Sequence, residues 1–339
     1  MKKTLTYLVI LGLLIGVALF LFLKNQKPSL EAQRNFTTPE IAELTQINMK
    51  DRHGHQVVLT NEANGWIVNG RYPASGIMLN DLLYALEFMH AEYPVPAVAV
   101  NNVLTEMITN STKVSLYKNG KSKPFKVFSV GGANHAQDGS FMLMEVDGQA
   151  AEKPYLIKLP GFKGYITYRF SAILKHWVSP TFTSYLPQEI ETVSIQYFHA
   201  QKDQSFVLSK KNEQFELTNM GEVFAGESLN QNLAEGLFAA FMELSFEEFL
   251  DSIPQQDSVI TNMQFLELTL NARNGNKHQL SIYFKPLNAN DNLPLDREGN
   301  PVFIDPIKLY AYDHQSESFF TIQYYTFGKL FLKAHQLRK

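Results

Sequence analysis

The sequence predicts an α+β protein: an N-terminal transmembrane helix followed by two tandem repeated units, each an antiparallel sheet with a helix packed on one face. Three observations carry this. Residues 4–23 are an uncharged, strongly apolar run. The remainder alternates short period-two segments with Asn-Gly and Gly-centred turns, broken by stretches of helical spacing. The order of those segments then occurs a second time.

The apolar run comes first. Between Thr4 and Leu23, fourteen of twenty residues are Leu, Ile, Val or Phe. As a helix it spans roughly 30 Å, the hydrocarbon thickness of a bilayer. Its composition favours insertion by about 4–8 kcal/mol. The main rival is a cleaved signal peptide, but the run ends Phe22-Leu23-Lys24-Asn25-Gln26-Lys27-Pro28 with no small-x-small site at its edge. Residues 1–24 are therefore expected to be an uncleaved anchor and 25–35 a spacer. Lys2 and Lys3 face Lys24 and Lys27 across the run, so charge barely orients it; the three-residue head favours N-in, C-out. The expected location is the inner (cytoplasmic) membrane, single-pass, with the bulk of the chain on the extracytoplasmic (periplasmic) side. Gly12 and Gly16 form a small-x-x-x-small pair through which a homodimer is possible. The chain contains no cysteine, hence no lipid-attachment thiol, disulfide or thiolate metal site.

In the first unit, residues 36–178, Gln46–Lys50 alternates with Ile47 and Met49 on one side. A turn around Gly54 leads into Gln56–Thr60, and Asn64-Gly65 into Trp66–Val68. Ser75 is placed to cap a helix carrying Leu79, Leu82, Leu83, Leu86 and Met89, which Pro94 and Pro96 stop. Strands follow at Lys113–Tyr117, Phe125–Val130, Phe141–Val146 and Tyr155–Leu159. Residues 179–188, with Pro180 and Pro187, read as a linker. The second unit, residues 189–339, repeats the order. Its strands are expected around Val193–Tyr197, Ser205–Ser209 and Gln214–Leu217. Ser228 would cap a helix whose stripe is Leu229, Leu233, Leu237, Phe241 and Leu244. Phe265–Leu270, Gln279–Phe284, Ile307–Tyr312 and Phe319–Gln323 complete it. The offset between matching positions grows from 149 residues, Trp66 to Phe215, to 164, Tyr155 to Phe319, and the extra loop Pro286–Pro306 accounts for most of that drift.

Gly65-Trp66-x-Val68-Asn69, Val130-Gly131-Gly132, Pro160-Gly161-Phe162-x-Gly164-Tyr165, Arg169-Phe170 and Trp177 together resemble the bacterial domain-of-unknown-function family numbered 4340, in its Bacteroidota style. The resemblance is strongest across residues 36–178. It implies an N-terminally membrane-anchored envelope protein, with some relatives encoded beside ABC-transporter components of the gliding-motility type. It implies no catalytic residues.

Charge and motifs exclude several classes. Setting Lys2 and Lys3 aside leaves 28 basic against 33 acidic side chains, with no basic segment to meet a nucleic acid. Of nine histidines only His53 and His55 are neighbours, in a turn, and a metal site needs a third ligand. His135, Asp138 and Ser140 are crowded into one loop, where backbone satisfaction outweighs a triad. Gly131-Gly132 follows a strand and offers backbone N–H groups that can cup an anion, but lacks the third glycine and following helix of a dinucleotide loop. Glu243, Glu247 and Asp251 at i, i+4, i+8, with Glu248 adjacent, would place carboxylates on one helix face. The Asn- and Asp-rich loop Pro286–Pro306 lacks the spacing of a calcium loop. The sequence thus nominates no catalytic residue, metal or cofactor. Glu243, Glu247, Glu248, Asp251, Gly131 and Gly132 are candidate interaction residues. The expectation is a non-enzymatic binding or assembly component of an envelope complex. The alternative is a ligand-binding accessory of an ABC-type transporter or an extracytoplasmic hydrolase.

Overall fold

The computed structural model describes residues 11–17, 29–212, 214–287 and 293–339. Contacts divide the chain into one unit of Met1–Gly70 with Gly76–Leu174 and another of Arg71–Ser75 with Lys175–Lys339. Strands β1 (Leu44–Lys50), β2 (Gln56–Glu62), β3 (Gly65–Val68), β4 (Tyr72–Pro73), β5 (His90–Pro94), β6 (Thr112–Lys118), β7 (Lys126–Ala133), β8 (Ser140–Val146), β9 (Gln149–Ala150) and β10 (Tyr155–Lys158) build the first sheet. Their order is β4-β3-β2-β1-β6-β7-β8-β10-β5, with β9 paired to β8. Helices α1 (Leu30–Arg34), α2 (Gly76–Phe88) and α3 (Ala97–Asn110) accompany them.

From Lys175 onward the second unit carries β11 (Thr181–Thr183), followed by β12 (Ile190–Tyr197), β13 (Phe206–Lys211), β14 (Gln214–Asn219), β15 (Glu222–Ala225), α4 (Gln231–Ala239), β16 (Leu244–Ser245) and β17 (Glu248–Leu250). It continues with α5 (Gln256–Asn262), β18 (Gln264–Ala272), β19 (Lys277–Pro286), β20 (Ile304–Asp313) and β21 (Ser318–Gln323). The large sheet runs β15-β14-β13-β12-β18-β19-β20-β21-β17, and β11 pairs with β16 apart from it. Position for position, this is the path of the first sheet. A four-strand meander leads through a helix to the opposite edge, and a second helix returns the chain to the centre beside the first strand.

Period-two alternation explains the central strands. Ile47 lies opposite Leu59 on one side and Leu116 on the other, and all three are fully buried. Ile195 takes the same place between Phe206 and Leu268. A one-residue slip would turn these rows to solvent, so burial pins the register. The α+β character and antiparallel sheets follow the sequence prediction.

Two elements missed in the first unit have equivalents missed in the second. The edge strands β5 and β17 each pair with one neighbour, and β5, being largely exposed, shows no alternation. Helix α3 starts after Pro96 despite its Val- and Thr-rich sequence. Tertiary burial of Val103 and Met107 with Val95 outweighs weak propensity. Its counterpart α5 packs on β19 as α3 packs on β7.

The second long helix is shorter than its apolar stripe predicts. It is capped by Asn230, whose side chain accepts from the Leu233 N–H at 3.3 Å; Ser228 Oγ donates instead to the Ala225 carbonyl at 2.7 Å. It ends at Ala239 because the expected linker segment captures the chain beyond. The Phe241 carbonyl accepts from Thr183 Oγ1 at 2.9 Å and from the Tyr185 N–H at 3.1 Å. Leu244, the last residue of the predicted stripe, is thereby drawn into β16 opposite Thr183.

Of the predicted anchor, residues 11–17 are helical and exposed along their length. The remainder of 1–24, and residues 25–28 of the spacer, lie outside the described residues. No helix among the described residues is long and apolar enough to cross a membrane. Space is open around the positions a Cβ would take at Gly12 and Gly16. Residues 30–34 of the spacer form α1, with Gln33 buried.

Candidate functional site

The nominated glycines are packing positions. A Cβ on Gly131 would lie 2.7 Å from Met107 Cγ and 3.3 Å from the Phe141 carbonyl oxygen, and one on Gly132 would meet the Glu106 carboxylate. Their smallness lets α3 approach β7 closely. Met107 is buried and hemmed in, whereas Glu106 is exposed and free to swing. Gly131→Ala is therefore expected to cost about 1–3 kcal/mol and Gly132→Ala less than about 0.5 kcal/mol in urea denaturation.

The other motifs resembling the family are structural in the same sense. Arg169, 6% exposed, holds its guanidinium 5.0 Å from the Phe162 ring centroid and 5.6 Å from that of Tyr168. It donates to the Asp81 carbonyl of α2 at 3.0 Å. Gly164, at φ +158, leaves room for the Phe162 ring, which a Cβ would approach to 2.9 Å. The Trp177 carbonyl accepts the Ser75 N–H at 2.7 Å while its ring is fully buried.

The histidine and loop motifs resolve into local hydrogen bonding. Asp51 accepts from the His53 and His55 N–H groups at 2.9 Å and meets His55 Nδ1 at 2.6 Å. Asp138 accepts from Lys158 at 2.8 Å and from Asn134 at 2.7 Å. Ser140 Oγ is buried against Thr167 Oγ1 at 2.9 Å. In the long loop, Asp296 accepts from the Glu298 and Asn300 N–H groups; Asn288, Asn290, Asp291 and Asn292 lie outside the described residues. Among the described residues, no group of three or more His, Asp or Glu could hold a metal ion.

The predicted acidic face does not form. With α4 ended at Ala239, Glu243 sits in the turn before β16, Glu247 in the bend before β17, Glu248 at its start, and Asp251 after it. The structure brings only Glu247 and Glu248 together, and it gives each a cation. Glu247 is 2.8 Å from Lys308 Nζ and accepts from Gln323 at 2.9 Å. Burial pushes its carboxyl up, but these hydrogen bonds outweigh that and hold it below the ordinary value. Glu248 is 2.9 Å from Lys175 Nζ.

Lys175, Glu247 and Glu248 edge a pocket of about 430 Å³, formed wholly by residues of the second unit. Phe246, Phe249 and Phe320 make its floor. Phe246 stacks on Phe320 at 3.9 Å between centroids, and Phe249 meets Phe320 edge-on at 5.5 Å. Tyr72 backs Phe249 edge-on at 5.2 Å and reaches Ser318 Oγ at 3.0 Å. Val178 and Pro180 extend the apolar wall, while Ser75, His176 and Ser179 add polar atoms. Partial burial, then the neighbouring Lys175, holds the His176 imidazole below its ordinary pKa, favouring the neutral ring.

The expectations singled out Glu247 and Glu248 but missed the aromatic floor. The Phe246-x-x-Phe249 spacing was visible, yet its partner Phe320 is more than seventy residues away and joins it only through the pairing of β17 with β21. Chemically, the pocket can take an apolar or aromatic group against the three rings while a polar flank exchanges with the lysine–carboxylate pairs. No family model matches this chain, and no curated protein or solved structure matches it.

Proposed function

We propose that this chain is a membrane-tethered, non-enzymatic binding or assembly component of an envelope complex. Its aromatic pocket in the second unit receives an apolar side chain or short segment of a protein partner. The observation supporting this is the pocket itself: a phenylalanine floor edged by the Lys175–Glu248 pair and by Glu247, the apolar-centre, polar-rim arrangement of binding hot spots. The common strand order of the two sheets supports descent from one duplicated unit. The apolar run at residues 4–23 supports placement as a single-pass protein of the inner membrane, its bulk extracytoplasmic. A second reading, a ligand-binding accessory of an ABC-type transporter, draws on the pocket's volume, which falls in the range of about 300–1,000 Å³ used for small molecules.

Photo-crosslinking in cells tests the first reading, with a photoreactive residue at Lys175 or Ser179. A discrete adduct with another envelope protein is expected, lost when Phe320→Leu removes the flat ring from the floor. Recovery of the bait alone from both positions, together with an unchanged envelope proteome in a deletion strain, would count decisively against it.

A further inference from the structure

The loop joining β6 and β7 in the first unit carries Lys118, Lys121, Lys123 and Lys126 around Phe125. Together with Glu145 and Asp147, residues of this loop line a cavity of about 440 Å³. Phe125 is 39% exposed, and Lys118 Nζ lies 5.0 Å from its ring centroid. Lys118 pairs with Glu43 at 3.3 Å, and Glu145 pairs with Lys113 at 2.7 Å. Lys121 and Lys123 are exposed, and among the described residues no carboxylate pairs with either. Lys126 fastens the loop by donating to the Thr37 carbonyl; burial pushes its ammonium down to about 8.

That clasp places the loop near the chain's route to the apolar run. Thr37 is eight residues from Ser29, five of them in α1, a reach of at most roughly 20 Å. Five residues then separate Ser29 from Leu23, again no more than about 20 Å, and they include Lys24 and Lys27.

We propose that the β6–β7 loop docks on the anionic phospholipid surface of the membrane that holds the anchor, Lys121 and Lys123 meeting lipid phosphates and Phe125 entering the headgroup layer. This rests on the anchor reading. Charge complementarity and the short tether favour lipid as the occupant, since lysines held close to an anionic bilayer are drawn to its surface potential. Two lysines at the surface correspond to about a 30-fold shift in the docked-to-undocked ratio between anionic and neutral bilayers. Docking seats the first unit at the surface.

The cysteine-free sequence makes the test direct. The full chain carrying Ser122→Cys, labelled with an environment-sensitive dye, is reconstituted into vesicles of phosphatidylcholine alone or with phosphatidylglycerol. Flotation with neutral vesicles reads the anchor; dye emission reads the loop. The expected result is flotation with both, a blue-shifted dye only with phosphatidylglycerol, and loss of that shift in K121Q/K123Q or at 1 M salt, where the Debye length is about 3 Å. Flotation with identical dye emission in both lipids, or a shift indifferent to K121Q/K123Q, overturns docking and leaves the anchor standing. Failure to float overturns the anchor and the docking with it. A dye response that follows protein density in neutral vesicles assigns the loop to a second copy and likewise overturns the proposal.

Discussion

Replacing Arg169 with alanine is expected to destabilise the first unit by about 3 kcal/mol, a large part of the 5–15 kcal/mol typical of a whole domain. The guanidinium is buried between the Phe162 and Tyr168 rings, and contacts of that kind are worth about 0.5–2 kcal/mol each when desolvated. A charge-assisted hydrogen bond to the Asp81 carbonyl adds about 1.5–3 kcal/mol. Asp81 is 40% exposed, so its carboxylate rehydrates and leaves little buried charge behind. Arg169→Lys is expected to recover only part of the loss, because a point ammonium cannot lie flat against two rings and reach the carbonyl as well. Hydrogen exchange read by mass spectrometry checks this: protection across Gly76–Phe88 should fall in R169A and fall less in R169K. Unchanged protection would show that the motif acts elsewhere.

Phe320→Ala is expected to cost about 3–5 kcal/mol in the second unit and to dismantle the pocket. The ring is 3% exposed, and its contacts with Phe246 and Phe249 add about 0.5–1.5 kcal/mol each beyond the area buried. Because Phe320 lies opposite Phe249 in the β21–β17 pair, its loss loosens β17 and moves Glu248 away from Lys175. Phe320→Leu keeps much of the volume but forfeits both ring contacts and the flat floor, so it is expected to cost about 1–3 kcal/mol, less than alanine. Denaturation curves should therefore place the leucine variant between wild type and the alanine variant. Crosslinking from Lys175 should be lost in both. A leucine variant that crosslinks normally would show that volume, rather than the aromatic face, recognises the partner.

Legibility in the sequence followed locality. Strands β1, β2 and β3 were readable because alternation and turn residues lie within a few positions of one another, as Gly54 and Gly65 at positive φ illustrate. Helix α2 was readable from its own spacing. The edge strand β5 and helix α3 were not, since β5 buries little and α3 has weak propensity; each is held by neighbours distant in the chain. The Gly131-Gly132 motif showed smallness, which suits both an anion nest and close packing. Only the position of Met107 on α3 distinguishes the two.

The acidic cluster shows where local reading ends. Helical spacing continues past Ala239 in the sequence, and on propensity alone Glu243, Glu247 and Asp251 belong to one face. The chain turns instead because Thr183 and Tyr185, some sixty residues earlier, take the Phe241 carbonyl. By itself the sequence determined the α+β class, the antiparallel strands and the order of the segments that recur, because periodicity and turn chemistry act between near neighbours. Tertiary structure alone decided which strand lies beside which, where α4 stops, and that Phe246, Phe249 and Phe320 form one surface. Those outcomes depend on contacts between residues far apart in the chain, which no local pattern records.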